Sequence, residues 1–215
     1  MKTTTQTIIH AFFEKWQPLA FLQADFTQAL QEAVRRIRLG GKVLVCGNGG
    51  SAADCEHIVG ELLKEFYIKR PIPSDVAETL SHQYGEMGAY MAKHLQGAIP
   101  AVSLVSQSGF LTAYANDAAS DMAYAQQVFA YATANDVLIG ISTSGNAANV
   151  NYAAAMAQTL GCYVIAMTGK TGGKLKAHCD ALMAVPETET YLVQEYHLPL
   201  YHLLCRAIEN EIFGE

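Results

Sequence analysis

The chain has 215 residues, of which 51% are hydrophobic and 16% charged, and a formal net charge of −6. That length suits one large α/β unit, and the acidic balance offers no basic face to nucleic acid. No segment supplies the ~20 uncharged apolar residues of a membrane span, and five scattered cysteines without CxxC spacing point to a reducing, cytoplasmic setting without disulfides.

Residues 6–39 predict two helices, with Pro18 near the break and Gly40-Gly41 as the stop. His10, Glu14 and Lys15 interrupt the apolar stretches there too often for a signal peptide. Five short apolar, β-rich runs then recur: Lys42 to Gly47, Ala101 to Val105, Asp136 to Ser142, Cys162 to Gly169 and Ala181 to Pro186. Segments of helical periodicity separate most of them, which is the pattern of a parallel sheet covered on both faces, an open α/β fold. The stretch from Pro71 to Pro100, helix-like between Asp75 and Leu95, is too long for an ordinary connection and reads as an insertion. Tyr191 to Phe213 predicts a long helix that Pro199 should kink.

In open α/β sheets ligands bind beyond the carboxyl ends of the strands. Two such edges stand out. After the first run comes Gly47-Asn48-Gly49-Gly50-Ser51, a glycine turn entering a helix whose free N–H groups and positive dipole end attract phosphate. The spacing also fits a dinucleotide fingerprint, but the required second strand with an acidic tip about 20 residues on is missing, since that region reads FYIKRP. After the third run Ser142-Thr143-Ser144 offers three hydroxyls, enough to surround a phosphate monoester. An ordinary capping turn explains that loop slightly better on its own. It is the pairing of two such loops at strand ends of one sheet that favours a ligand with a phosphate and several hydroxyls. No G-x-S-x-G elbow surrounds these serines, which argues against a serine hydrolase.

His57 and Glu61, four residues apart, share one helix face two to three turns behind the glycine loop. The pair fits either a reactive site or a chance surface contact. His197 and His202, in QEYHLPLYH, read as helix residues that touch solvent unless something nearby recruits them.

Four stretches taken together, CGNGGSAADCEHIVGEL, DVLIGISTSGNAANV, VIAMTGKTGGKL and VQEYHLPLYHLL, closely resemble the sedoheptulose 7-phosphate (phosphoheptose) isomerases of the sugar-isomerase, or SIS, superfamily. The resemblance runs in order from about Gly40 to the C-terminus. It implies a five-stranded, flavodoxin-like three-layer sandwich spanning residues 1–215, with residues 1–40 as a helical extension and 71–100 as an unusual insertion. It also implies a cytoplasmic homotetramer and a Zn²⁺ ion. The implied zinc ligands are His57, Glu61, Gln194 and His202, with Glu61 and His202 catalytic. Asn48, Gly49, Gly50, Ser51, Asp117, Ser142, Thr143, Ser144 and Gln194 would hold the phosphosugar. Two positions depart from the family pattern: Ala147 stands where a further serine is usual, and Tyr191 where an aspartate is common.

The activity so implied is conversion of D-sedoheptulose 7-phosphate to D-glycero-D-manno-heptose 7-phosphate through an enediol. The alternatives are a non-catalytic SIS protein that binds a phosphosugar or another protein, and an isomerase of a different phosphorylated ketose. Gln194 and His202 are eight residues apart, ~12 Å along a straight helix, whereas zinc ligands lie ~2 Å from the ion. Either Gln194 precedes the helix, or Pro199 bends it, or two subunits share a site.

Overall fold

Each of the five apolar runs forms a strand: β1 (Val43–Gly47), β2 (Ala101–Ser103), β3 (Val137–Ser142), β4 (Tyr163–Thr168) and β5 (Ala181–Ala184). The structure, a computed structural model, describes residues 1–214. All pairings are parallel and the strand order is β2-β1-β3-β4-β5. That is the flavodoxin-like order, whose topological switch point lies between β1 and β3.

Both faces of the sheet are covered, so the strands are apolar at nearly every position. Val43, Val45, Ile139, Ile141, Ile165 and Met167 join one core, while Leu44, Cys46, Leu138, Val164 and Ala166 join the other. The first core is completed by α1 (Thr3–Lys15), α2 (Gln23–Arg38), α3 (Gly50–Leu63) and α8 (Thr190–Phe213). On the opposite face lie α6 (Ala123–Tyr131) and α7 (Ala148–Thr159), preceded by α5 (Ser108–Asp117). Thus α3 and α7, which follow β1 and β3, depart to opposite sides and leave a crevice between their first residues.

The N-terminal pair of helices is present, and Pro18 lies in a short 3-10 turn, Gln17–Leu22, between them. Pro199 lies inside α8, which continues across it as one element. The segment from Pro71 to Pro100 folds as α4 (Ser74–His94), bent at Gly85, where φ is 58°. An antiparallel bridge between Pro71 and Gln96 closes its base, and Val76, Tyr84, Met87 and Tyr90 stay exposed.

Two buried ionic contacts tie the end of α3 to α8 and the starts of β1 and β3 to each other. Arg70 and Glu209 are both fully buried and paired at 2.7 Å, and Arg70 also donates to the carbonyls of Glu61 and Leu62 at the end of α3. Asp136, before β3, accepts from the Lys42 amide at 2.8 Å, the Lys42 ammonium at 2.6 Å and the Thr133 amide at 2.7 Å. Among the described residues no helix is long and apolar enough to cross a membrane.

Candidate active site

The glycine loop needs its glycines. Gly49 has φ 57°, which favours a residue without Cβ. A Cβ on Gly47 would stand 2.8 Å from the Ser51 carbonyl oxygen. Ser51 is buried in the first turn of α3, whereas Asn48, Gly49 and Gly50 face solvent. Gln194, on α8, reaches over this turn, since a Cβ on Gly50 would fall 2.5 Å from its Nε2.

Across the switch point, Ser142 ends β3 and is buried, Thr143 is half-buried and Ser144 is exposed. Gly145, at φ 67°, turns the chain, and a Cβ there would overlap the Gly172 carbonyl. The Asn146 amide donates to Ser144 Oγ at 3.1 Å. Ala147 occupies the N-cap of α7 and makes no side-chain capping bond. The two loops are joined by a reciprocal amide pair: Asn48 Nδ2 donates to Asn149 Oδ1 at 2.9 Å, and Asn149 Nδ2 to Asn48 Oδ1 at 2.8 Å.

Two turns into α3, His57 meets α8. Its Nε2 lies 3.3 Å from His202 Nε2 and 3.4 Å from Glu61 Oε1. Glu61 is largely buried and its Oε2 accepts from Lys64 Nζ at 3.1 Å. His202 is packed against Phe66, with ring centroids 5.7 Å apart. Burial, followed by the neighbouring His57, lowers the His202 pKa below its usual value, which favours a neutral ring near pH 7.

The structure brings His57, Glu61 and His202 together and sets Gln194 apart from them, at the glycine loop, on the same helix as His202. Of the three explanations for the spacing of Gln194 and His202, a position ahead of the helix is therefore removed. Asp117 is exposed at the end of α5 and accepts from Asn116 Nδ2 at 2.8 Å. His197 departs from expectation. It is fully buried with Nε2 3.2 Å from the Thr168 carbonyl oxygen, and burial lowers its pKa to about 4, so the neutral ring donates to that carbonyl. Among the described residues no three His, Cys, Asp or Glu side chains close into a metal-holding group. Glu61 divides its oxygens between His57 and Lys64, which leaves the set open on that side.

Three residues of the site escape sequence reasoning. Asn149 closes the two loops, and a second asparagine after STSGN was its only trace. Tyr201 and Asp54 lie beside His57, the tyrosine hydroxyl 3.0 Å from His57 Nδ1 and 3.3 Å from Asp54 Oδ1. Their positions, next to His202 and three before His57, carry no motif of their own.

A family model for the SIS domain matches residues 80–169. The phosphoheptose isomerase of Trichlorobacter lovleyi is 35% identical over 95% of this chain and 90% of its own length. That of Clostridium acetobutylicum is 37% identical over 85% of this chain and 80% of its own. Among solved structures, phosphoheptose isomerase GmhA from Neisseria gonorrhoeae is 32% identical with a TM-score of 0.72, covering 97% of this chain and 100% of that one. The Francisella tularensis phosphoheptose isomerase superimposes at a TM-score of 0.73 with 28% identity, over the same shares of each chain. With its strand order, its two strand-end loops and relatives of this similarity along nearly its whole length, the chain belongs to the phosphoheptose isomerase family.

Proposed function

We infer that this chain is an aldose-ketose isomerase that converts D-sedoheptulose 7-phosphate to D-glycero-D-manno-heptose 7-phosphate. The observation that carries this reading is the meeting of His57, Glu61 and His202 behind a glycine loop at the sheet's switch point. From Ser51 to His57 the helix rises about 9 Å, a span that an extended seven-carbon phosphosugar can bridge. Its phosphate then sits among Gly49, Gly50, Ser51, Ser142, Thr143 and Ser144, and its carbonyl end at the histidines. Asn48 and Asp117 serve the hydroxyls between, and Gln194 borders the loop.

The reaction removes a proton from C1, passes through an enediol and returns a proton to C2, while hydrogen moves between O1 and O2. Glu61, an acceptor held mostly out of water, is assigned the carbon-bound proton. His202, with its lowered pKa, has a neutral ring that can accept and donate at the oxygens. Burial of Glu61 limits competition from water there, while His202 is half-buried.

Two of the pairings at the site have the spacing of zinc ligands, and the three side chains would have to draw together around an ion to hold it. Two donors on one tetrahedral ion at bonds of about 2.0 to 2.1 Å stand about 3.3 to 3.4 Å apart. The pairs His57 to His202, at 3.3 Å, and His57 to Glu61, at 3.4 Å, match that spacing. When bound, zinc would supply polarisation of the C1 and C2 oxygens. We propose His57, Glu61 and His202 as its holders within one protomer; a carboxylate or imidazole held by an ion is a weaker base, so Glu61 and His202 would move protons only when released from it. Gln194 stands eight residues from His202 on one helix, which supports sites shared between subunits of a homo-oligomer, proposed to be a tetramer.

The test is direct. Protein stripped with a chelator and protein reloaded with zinc are each incubated with sedoheptulose 7-phosphate, and the sugar is followed by NMR. Aldose formation that depends on zinc is expected. An intact, zinc-supplied oligomer that leaves the ketose unchanged would overturn the reading and favour a phosphosugar-binding role without catalysis.

A further inference from the structure

The hydroxyl of Tyr201 sits between Asp54, which the reaction scheme does not use, and the outer nitrogen of His57. It lies 3.3 Å from Asp54 Oδ1, to which it donates, and 3.0 Å from His57 Nδ1. Tyr201 itself is buried, and its ring meets the His57 ring edge-on with centroids 5.5 Å apart. Asp54 Oδ2 is also buried and, among the described residues, finds no hydrogen-bond partner. A carboxylate oxygen withdrawn from water without a partner costs stability, and an apolar residue at this point on α3 would avoid that cost. The arrangement thus needs a reason other than packing.

A phenol has one proton. If Tyr201 spends it on Asp54, its oxygen can only accept from His57, so Nδ1 of that ring must carry hydrogen. The other nitrogen, Nε2, then presents a lone pair, and Nε2 is the atom that faces His202 and Glu61. In the opposite tautomer Nδ1 would need the phenol proton, Asp54 would lose its donor and Nε2 would point a hydrogen into the site.

We propose that Asp54 and Tyr201 are positioning residues that fix His57 in the Nδ1–H tautomer, so that Nε2 is ready to bind a metal ion or accept a proton. The chain runs Asp54 carboxylate, Tyr201 hydroxyl, His57 ring. It places a tyrosine where a carboxylate or backbone carbonyl more often orients a ligating histidine. The role for Nε2 rests on the isomerase reading, but the tautomer itself does not.

The experiment therefore begins without substrate or metal. Protein labelled with ¹⁵N in histidine is examined at pH 8, and the His57 nitrogens, assigned through a His57→Gln control, are classified as protonated or bare from long-range ¹H–¹⁵N correlations. The wild type should show Nδ1 protonated and Nε2 bare. Tyr201→Phe, which removes only the hydroxyl, should shift His57 towards the other tautomer. Asp54→Asn, whose amide oxygen still accepts from the phenol, should shift it less. Zinc dissociation constants, read by competition with a chromogenic chelator, should rise about 10- to 100-fold in Tyr201→Phe and less in Asp54→Asn. A wild-type His57 protonated at Nε2, or a tautomer and zinc affinity unmoved by both variants, would overturn the proposal. A wild type that shows the tautomer but no isomerisation would leave the relay standing and sink only the enzymatic reading.

Discussion

His57 and His202 stand 145 positions apart in the chain, yet their Nε2 atoms lie 3.3 Å from each other. That meeting joins a helix that begins at the glycine loop to the long C-terminal helix.

Glu61→Gln and His202→Gln should each lower kcat by about 10²- to 10⁴-fold, the usual range for loss of a general acid or base. KM for the phosphosugar should change much less, because the loops proposed to hold its phosphate lie two or more turns away. Steady-state kinetics on folded, oligomeric variants checks this, and loss of KM without loss of kcat would reverse the assigned roles.

Ala147 caps α7 without a side-chain bond. Ala147→Ser should therefore stabilise the protein by about 1 kcal/mol through a capping hydroxyl. If the loop holds the phosphate as proposed, the variant should also lower KM a few-fold by adding a donor there. Thermal unfolding and substrate titration measure the two effects separately.

The Arg70–Glu209 pair is fully buried and holds the end of α3, with Glu61, against α8. Removing one partner strands the other charge. Arg70→Met or Glu209→Gln should each cost about 3 to 5 kcal/mol in urea unfolding, while replacing both by apolar residues should recover much of that loss.

Asp136 gives a pH signature. Burial raises its pKa, but its hydrogen bonds with Lys42 and Thr133 and the Lys42 charge together outweigh burial and hold it below the usual value. The folded state thus binds this proton more weakly than the unfolded chain, whose aspartates titrate near about 3.9. The stabilisation is complete above that pH and is lost as pH falls through the lower, folded value. Asp136→Asn should cost about 2 to 3 kcal/mol at pH 7 and flatten the acid limb of the stability curve.

Much of this architecture was legible because it follows from periodicity and turn chemistry. Apolar runs doubly buried in a parallel sheet cannot be mistaken for half-exposed strands, and glycines such as Gly49 and Gly145, with positive φ, mark the turns that form the site. His57 and Glu61 were visible as a helical i, i+4 pair. What the sequence hid were contacts made across the fold. Nothing near His197 announces that its ring would be sealed against the Thr168 carbonyl, because burial there is set by how α8 packs on β4. Tyr201 and Asn149 likewise gain their roles from partners more than a hundred residues away. Pro199 read as an interruption, but a helix packed along its length against α1, α2 and α3 tolerates one missing donor.

Proton transfer through an enediol is the central claim, and turnover of sedoheptulose 7-phosphate in D₂O tests it most directly. The account predicts an aldose product carrying deuterium at C2, with incorporation abolished in Glu61→Gln. Formation of the aldose with hydrogen retained at C2 throughout would instead indicate direct hydride movement or a fully shielded transfer, and the assignment of Glu61 as the exchanging base would be contradicted.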